Sequence, residues 1–353
     1  MQLPKKVIDL MPYAPNEGVF DVALDANESF IELDEKIVNE LSEKIKGLNF
    51  NRYPDPTAKK LRQAFANFYS LPWECCVASN GSDEIISVIV NCLTQKGDKI
   101  LTLAPDFSMY RFYSHLAETE TLEINKQGDS DKDIKEIIKA VNEQKPDMII
   151  FSNPCNPTGK IFTKEEIRLL LKSCQCLFVL DEAYMDFSDQ SMLPEFEKYN
   201  NLIILKTCSK AFGLACLRIG FAVTVKELAD KLLAVKSPYN VNSVSQLMGE
   251  NVLQKKEYIS SCIDKIIENK NMLCKGIEEL EQKYQNIFKS EKTYTNFAVI
   301  KTKEATPIFE FLKTKKISVR CFKDFLRVTA GSEKENKVFL QAFEEYLKGR
   351  ERI

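Results

Sequence analysis

Histidine is almost missing from this chain: His115 is the only one among 353 residues. That removes the commonest general base, and with it the Ser-His-Asp and Cys-His nucleophile arrangements. His115 lies in RFYSHLAE, a helical pattern far in sequence from any nucleophile-elbow spelling. No Cys-x-x-Cys occurs among the eleven cysteines, so a Cys/His metal site has almost no raw material and none is expected. Nor is there a long apolar run: the best, Ile85 to Leu93, is interrupted by Ser87 and Asn91, far short of a membrane span. Charge of one sign is lacking too. Forty-nine basic residues face 51 acidic ones, which gives no global pull toward nucleic acid or an anionic membrane. The start, MQLPKKVIDLMPYAPNEG, shows no apolar signal core, so the expected setting is the cytoplasm, with the cysteines as reduced, buried small hydrophobes.

What is present is an alternation of short apolar runs and amphipathic segments. WECCVAS, KILTLAP, TLEI, DMIIFSNP, LFVLDEAY and LIILKTCSK read as strands, separated by helical patterns such as SDEIISVIVNCL and TKEEIRLLLKSC. Strands apolar throughout are those with both sheet faces covered, so the expected fold is α/β with a mixed, mostly parallel sheet between helices. From about Lys226 the texture changes to one long helical stretch, SVSQLMGENVLQ to EELEQKY, and then a compact α+β pattern. The expected organisation is an irregular arm over 1–30, a large domain over 31–240 and a small domain over 241–353.

Four strand ends carry polar residues where open α/β sheets bind ligands. NGSDE at 80–84 opens a helix, where Gly81 permits a sharp turn and the amides of Ser82 and Asp83 form an anion site; a plain helix cap is the simpler alternative. SNPCNPTG at 152–159 is a rigid, proline-braced turn able to hold Asn156 still. In DEAY, a carboxylate at the mouth of an apolar strand is costly unless Asp181 meets a cation or a proton donor, such as a protonated ring nitrogen, and Tyr184 can offer a hydroxyl to the same ligand; Asp181 as a cap or an exposed acid is the alternative. In TCSKAFG, Lys210 follows an apolar strand, where desolvation favours a nucleophilic neutral amine. Thr207, Ser209 and Arg218 beside it suit a phosphate.

In this order, these blocks resemble the aspartate-aminotransferase-like class of pyridoxal-phosphate enzymes, most closely the histidinol-phosphate aminotransferases. The resemblance runs over nearly the whole chain, through MPY at Tyr13, DANES around Asn27, RYPDP at 52–56, PDFSMY at 105–110, SKAFGLACLRIG and LRVTAG at 326–331. It implies pyridoxal 5'-phosphate held by Lys210 as an internal aldimine, with Asp181 on the ring nitrogen and Asn156 and Tyr184 on the phenolic oxygen. It further implies Phe107 stacked on the ring, where the family often has tyrosine. The phosphate would rest on Gly81, Ser82, Asp83, Thr207, Ser209 and Arg218. Tyr53 matches the residue that reaches the phosphate from a second subunit, implying a homodimer with shared active sites. Tyr13, Asn27, Arg320 and Arg327 match substrate positions.

The implied reaction passes an amino group between histidinol phosphate and 2-oxoglutarate/glutamate, in histidine biosynthesis, with Lys210 moving the proton that histidine is not there to move. The same blocks also serve aromatic amino-acid aminotransferases and threonine-phosphate decarboxylases. The chain departs from the pattern at Cys208, Cys216 and Ala330, and in having only six residues between Arg320 and Arg327.

Overall fold

The computed structural model describes residues 3–350 except 9, 13, 15, 127 and 129. Twelve strands form two sheets among the described residues. In chain order they are β1 (Val22–Leu24), β2 (Cys76–Ser79), β3 (Lys99–Ala104), β4 (Glu120–Asn125), β5 (Met148–Ser152) and β6 (Leu177–Asp181). They continue with β7 (Leu202–Thr207), β8 (Gly220–Val223), β9 (Lys289–Glu291), β10 (Phe297–Lys301), β11 (Ile317–Cys321) and β12 (Phe325–Thr329). The large sheet runs β2-β8-β7-β6-β5-β3-β4, parallel except for β8, which is antiparallel to both its neighbours.

Both faces of this sheet are dry, which is why its strands read as unbroken apolar runs. Along β5 and β6, Ile149, Phe151, Phe178 and Leu180 enter one core, while Met148, Ile150 and Val179 enter the other. That is the two-residue alternation of a pleated strand with helices packed on each side. Local signals fix the helix starts: Thr163 and Glu166 close a reciprocal capping box on the helix Lys164–Ser173, and Asp34 accepts from the Lys36 amide at the start of Glu35–Ile45.

The second sheet, β1-β11-β12-β10-β9, packs with the helices Lys256–Lys283 and Glu333–Arg350 around its own core of Leu273, Phe339, Phe343 and neighbours. The structure differs from the sequence reading at several points. The arm is not wholly irregular, because Val22–Leu24 pairs in parallel with Ile317–Val319. The long helical stretch is two helices, Ser243–Leu253 and Lys256–Lys283, interrupted at Gln254 and Lys255. WECCVAS enters through a short 3₁₀ turn, Trp73–Cys75, before the strand proper. The DEAY strand stops at Asp181, since its carboxylate captures the Ala183 amide and the backbone turns into a 3₁₀ segment at Met185–Phe187.

Candidate active site

Parallel strands present their carboxyl ends on one edge, and the polar blocks sit there together. Residues after β2, β3, β5, β6 and β7 line one cavity of about 330 Å³. Its wall includes Asn27, Ser82, Asp83, Phe107, Asn156, Asp181, Tyr184, Thr207, Ser209, Lys210, Arg218, Arg320 and Arg327.

At one end lies an anion cradle. The helix Gly81–Leu93 points its N-terminus into the cavity, and Ser82 and Asp83 stand on its first turn. Arg218 takes a left-handed backbone (φ 50°) and reaches Ser209 Oγ at 3.3 Å and Asp83 Oδ2 at 3.5 Å. Thr207 Oγ1 donates to Ser209 Oγ at 3.1 Å, so the hydroxyls form a single row. Gly81 is required here: it adopts φ +75°, and a Cβ on it would lie 2.7 Å from Arg218 Nη2. Gly220 allows β8 to touch this turn, since its Cβ would come within 2.4 Å of the Gly81 carbonyl carbon. Gly81 itself does not line the cavity; it shapes the floor beneath Arg218.

Mid-cavity, Asp181 is only 3% exposed. Its Oδ2 accepts from Tyr110 Oη at 2.8 Å and its Oδ1 from the Ala183 amide at 3.0 Å. Burial pushes its carboxyl up to about 6, against the pull of those two donors. A positively charged partner inside the cavity would relieve that burial cost. Phe107 meets Tyr110 edge to face, with ring centroids 5.6 Å apart, and presents an aromatic surface beside Asp181.

Lys210 follows β7 and directs its Nζ to the Ala26 carbonyl at 2.9 Å. Burial, followed by the nearby charge of Arg327, pushes its amine down to about 8. Asn27, left-handed at φ 55°, donates from Nδ2 to Tyr184 Oη at 2.8 Å. Its own amide and Oδ1 are held by Thr329 Oγ1 at 3.0 and 3.1 Å, which ties the arm to β12. Arg327, in the middle of β12, donates Nη1 to Asn156 Oδ1 and Nη2 to the Asp25 carbonyl at 2.5 Å, above the Phe297 ring. Arg320 is its cross-strand register partner and lines the same cavity.

Among the described residues, Tyr53, singled out from the sequence, does not line this cavity. Tyr53 is 81% exposed and stacks on Tyr239 at 4.7 Å, outside the cavity of this chain. Tyr13 lies outside the described residues. Other participants escaped the sequence reading. Asp106 is buried, ion-paired with Lys126 at 3.3 Å and bonded to Ser152 Oγ, which accepts from the Asn156 amide at 3.1 Å. Tyr110 could have been found from helical spacing, since it stands one turn after Phe107; nothing local marks Ala26.

The residues present fit pyridoxal phosphate. The cradle of the helix N-terminus, Ser209 and Arg218, kept open by the lack of a side chain at Gly81 under Arg218, suits a dianionic phosphate, the buried Asp181 suits a protonated ring nitrogen, and the desolvated Lys210 amine suits an aldehyde.

Residues 21–343 match the family described as aminotransferase class I and II. The histidinol-phosphate aminotransferase of Clostridium novyi (strain NT) is 40% identical over 337 residues, covering 94% of this chain and 93% of that one. The crystal structure of the histidinol-phosphate aminotransferase from Clostridium acetobutylicum superposes with a TM-score of 0.82 at 25% identity, over 93% of this chain and 99% of that one. The enzyme of the same name from Sinorhizobium meliloti, in complex with pyridoxal-5'-phosphate, superposes with a TM-score of 0.84 at 19% identity, over 94% and 92% of the two chains. With a matching fold, an ordered set of strand-end residues and a relative this similar over almost its whole length, the chain belongs to the class I and II aminotransferases.

Proposed function

We propose that this chain is a pyridoxal-phosphate-dependent histidinol-phosphate aminotransferase, passing the amino group between histidinol phosphate and 2-oxoglutarate/glutamate. The observation that carries the substrate choice is Arg327, a buried guanidinium clamped by Asn156 and the Asp25 carbonyl on the wall of the cavity that holds Lys210. Both partners of the reaction are anions of different shape, and a planar fork of donors accepts a phosphate or a carboxylate. The named relatives support the same reading.

Ser82, Asp83, Thr207, Ser209 and Arg218 would hold the cofactor phosphate, Phe107 its ring face, Asp181 its ring nitrogen, and Asn156 and Tyr184 its phenolic oxygen. Bound there, pyridoxal phosphate supplies an aldehyde that takes up the amino group and a ring that spreads negative charge. Lys210 Nζ, neutral for much of the time near pH 8, removes the proton from the substrate carbon bearing the amine and returns it further along. Asp181 stays ionised to keep a cation opposite it, and Tyr110 and the Ala183 amide hold its two oxygens in place. Asn27 fixes the Tyr184 hydroxyl, and Arg327 fixes Asn156.

The proposed organisation is an arm over 1–30 that packs on a small domain over 241–353, with the cofactor domain over 31–240; the β1–β11 pairing supports the arm's place. A homodimer with shared sites is part of the proposal, supported by the exposed, stacked Tyr53–Tyr239 pair and by the exposed Phe50 three residues before Tyr53 in sequence. The eleven cysteines are all free thiols, in keeping with a reducing cytoplasm.

The deciding experiment is a half-reaction panel on the purified enzyme. Histidinol phosphate is expected to react with a kcat/KM about 10²-fold or more above phenylalanine, tyrosine and threonine phosphate. A preference for tyrosine, or carbon dioxide from threonine phosphate, overturns the reading.

The lowered amine of Lys210 also gives a pH signature. A folded-state value near 8 leaves ammonium below it and reactive free amine above it. The rate at which apoenzyme takes up pyridoxal phosphate into a borohydride-trapped form on Lys210 is expected to rise between about pH 7 and 9 and then level. A rise delayed to the ordinary lysine range would show the amine to be solvated.

A further inference from the structure

The substrate cavity has a larger neighbour. A groove of about 750 Å³ runs between the loop that follows β5 and the small sheet, and Ser152 and Phe322 line both spaces. Ser152 is committed: it donates to Asp106 and receives the Asn156 amide. Phe322 has no such polar duty. It opens the tight turn between β11 and β12, its amide bonded to the Phe325 carbonyl at 2.9 Å. Its ring lies flat on that of Phe325, with centroids 4.3 Å apart and planes 9° from parallel, against the apolar cluster containing Tyr184 and Val299. Phe322 stands within the six-residue connection from Arg320 to Arg327 and lines the cavity beside them.

Among the described residues, the other aromatic side chains that line the cavity each have a bonded partner or a proposed role. Phe107 is the face proposed for the cofactor ring, Tyr110 is bonded to Asp181, and Tyr184 is bonded to Asn27. With the anionic end of the donor at Arg327 and its reacting carbon at Lys210, the donor's own ring is left with Phe322.

We propose that Phe322 is the specificity-determining wall of the donor pocket, limiting the donor's side chain to a compact ring and shutting off the groove behind it from longer aryl groups. This deepens the function proposed above and rests on it. A five-membered imidazole ends before that wall, whereas a hydroxyphenyl ring must pass it. Removing the wall joins the two spaces, and the donor that gains is the longer one.

The test uses the full-length, cofactor-loaded enzyme with Phe322→Ala and the milder Phe322→Val. For each, kcat/KM is measured with histidinol phosphate and tyrosine, and calorimetry gives the dissociation constant of unreactive 3-(4-hydroxyphenyl)propanoate. Phe322→Ala is expected to raise the tyrosine-to-histidinol-phosphate ratio about 10- to 100-fold and to tighten the aryl acid, with Phe322→Val between it and wild type. A wild type that prefers histidinol phosphate, with a ratio unchanged in both variants, overturns the wall and leaves the function standing. A wild type that already prefers tyrosine sinks the functional reading, and the wall with it. Should the alanine variant fold poorly, an unmoved ratio in the valine variant is enough to reject the proposal.

Discussion

Lys210→Ala is expected to lower kcat for the amino-transfer half-reaction by at least about 10³-fold, within the range that a positioned proton-transfer group contributes. Among the described residues there is no substitute. His115 is on the helix Met109–Leu116, bonded to the Lys6 carbonyl, and does not line the cavity. Lys126 is tied to Asp106 and Cys155, and Lys206 is buried against Asp186 at 2.9 Å. Removing the Lys210 amine leaves the phosphate cradle untouched, because Arg218 and Ser209 hold each other. The variant should therefore still retain pyridoxal phosphate through dialysis. Lys210→Arg separates charge from proton transfer: a guanidinium keeps the positive charge but does not give up its proton, so it should be as inactive as alanine. Single-turnover kinetics with histidinol phosphate measure the loss, and borohydride labelling followed by peptide mapping should place the cofactor on residue 210 in wild type only. Activity within about tenfold of wild type would mean that another group moves the proton.

The parts of this site that sequence made legible are those where one residue breaks a pattern. Asp181 interrupts an apolar strand, Lys210 follows one, and Gly81 begins a helix; each departure costs free energy unless a ligand or a neighbour compensates. The large sheet was legible for the same reason, as both its faces are buried and its strands are apolar throughout. What escaped depends on residues distant in sequence. Val22–Leu24 is too short to show a period, and it is a strand only because β11 pairs with it. Ala26 contributes a backbone carbonyl, which leaves no trace in residue type. The break at Gln254 and Lys255 contains neither glycine nor proline, so the helical pattern continues through it on paper. Asp106 and Lys126 are ordinary surface residues by composition, and it is folding that buries them against each other behind Asn156.

Arg327→Ala is expected to raise KM for histidinol phosphate about 10²- to 10³-fold, the consequence of leaving a buried anion without its charge-assisted donors, about 2–5 kcal/mol. The size follows from how firmly the guanidinium is held. It is buried on β12, fixed by Asn156 and the Asp25 carbonyl, and backed by the Phe297 ring 5.4 Å away, so the site is organised before the donor arrives. A loss confined to binding raises KM while kcat falls less. Arg327→Lys should recover only part of the affinity, because an ammonium cannot reproduce the two-pronged contact. A second readout has a definite sign. Arg327 is one of the causes that push the Lys210 amine down to about 8, so removing it lets that value climb toward the ordinary lysine range. The rising limb of the pH profile for amine reactivity should then move to higher pH, a change that simple loosening of β12 would not produce. Arg320→Ala, on the neighbouring strand and in register with Arg327, should raise KM less and leave the limb where it is. An unchanged KM in Arg327→Ala would remove this residue from the anchor role, whereas a raised KM with an unmoved limb would keep the anchor and place the amine's depression on burial and the charge of Arg218.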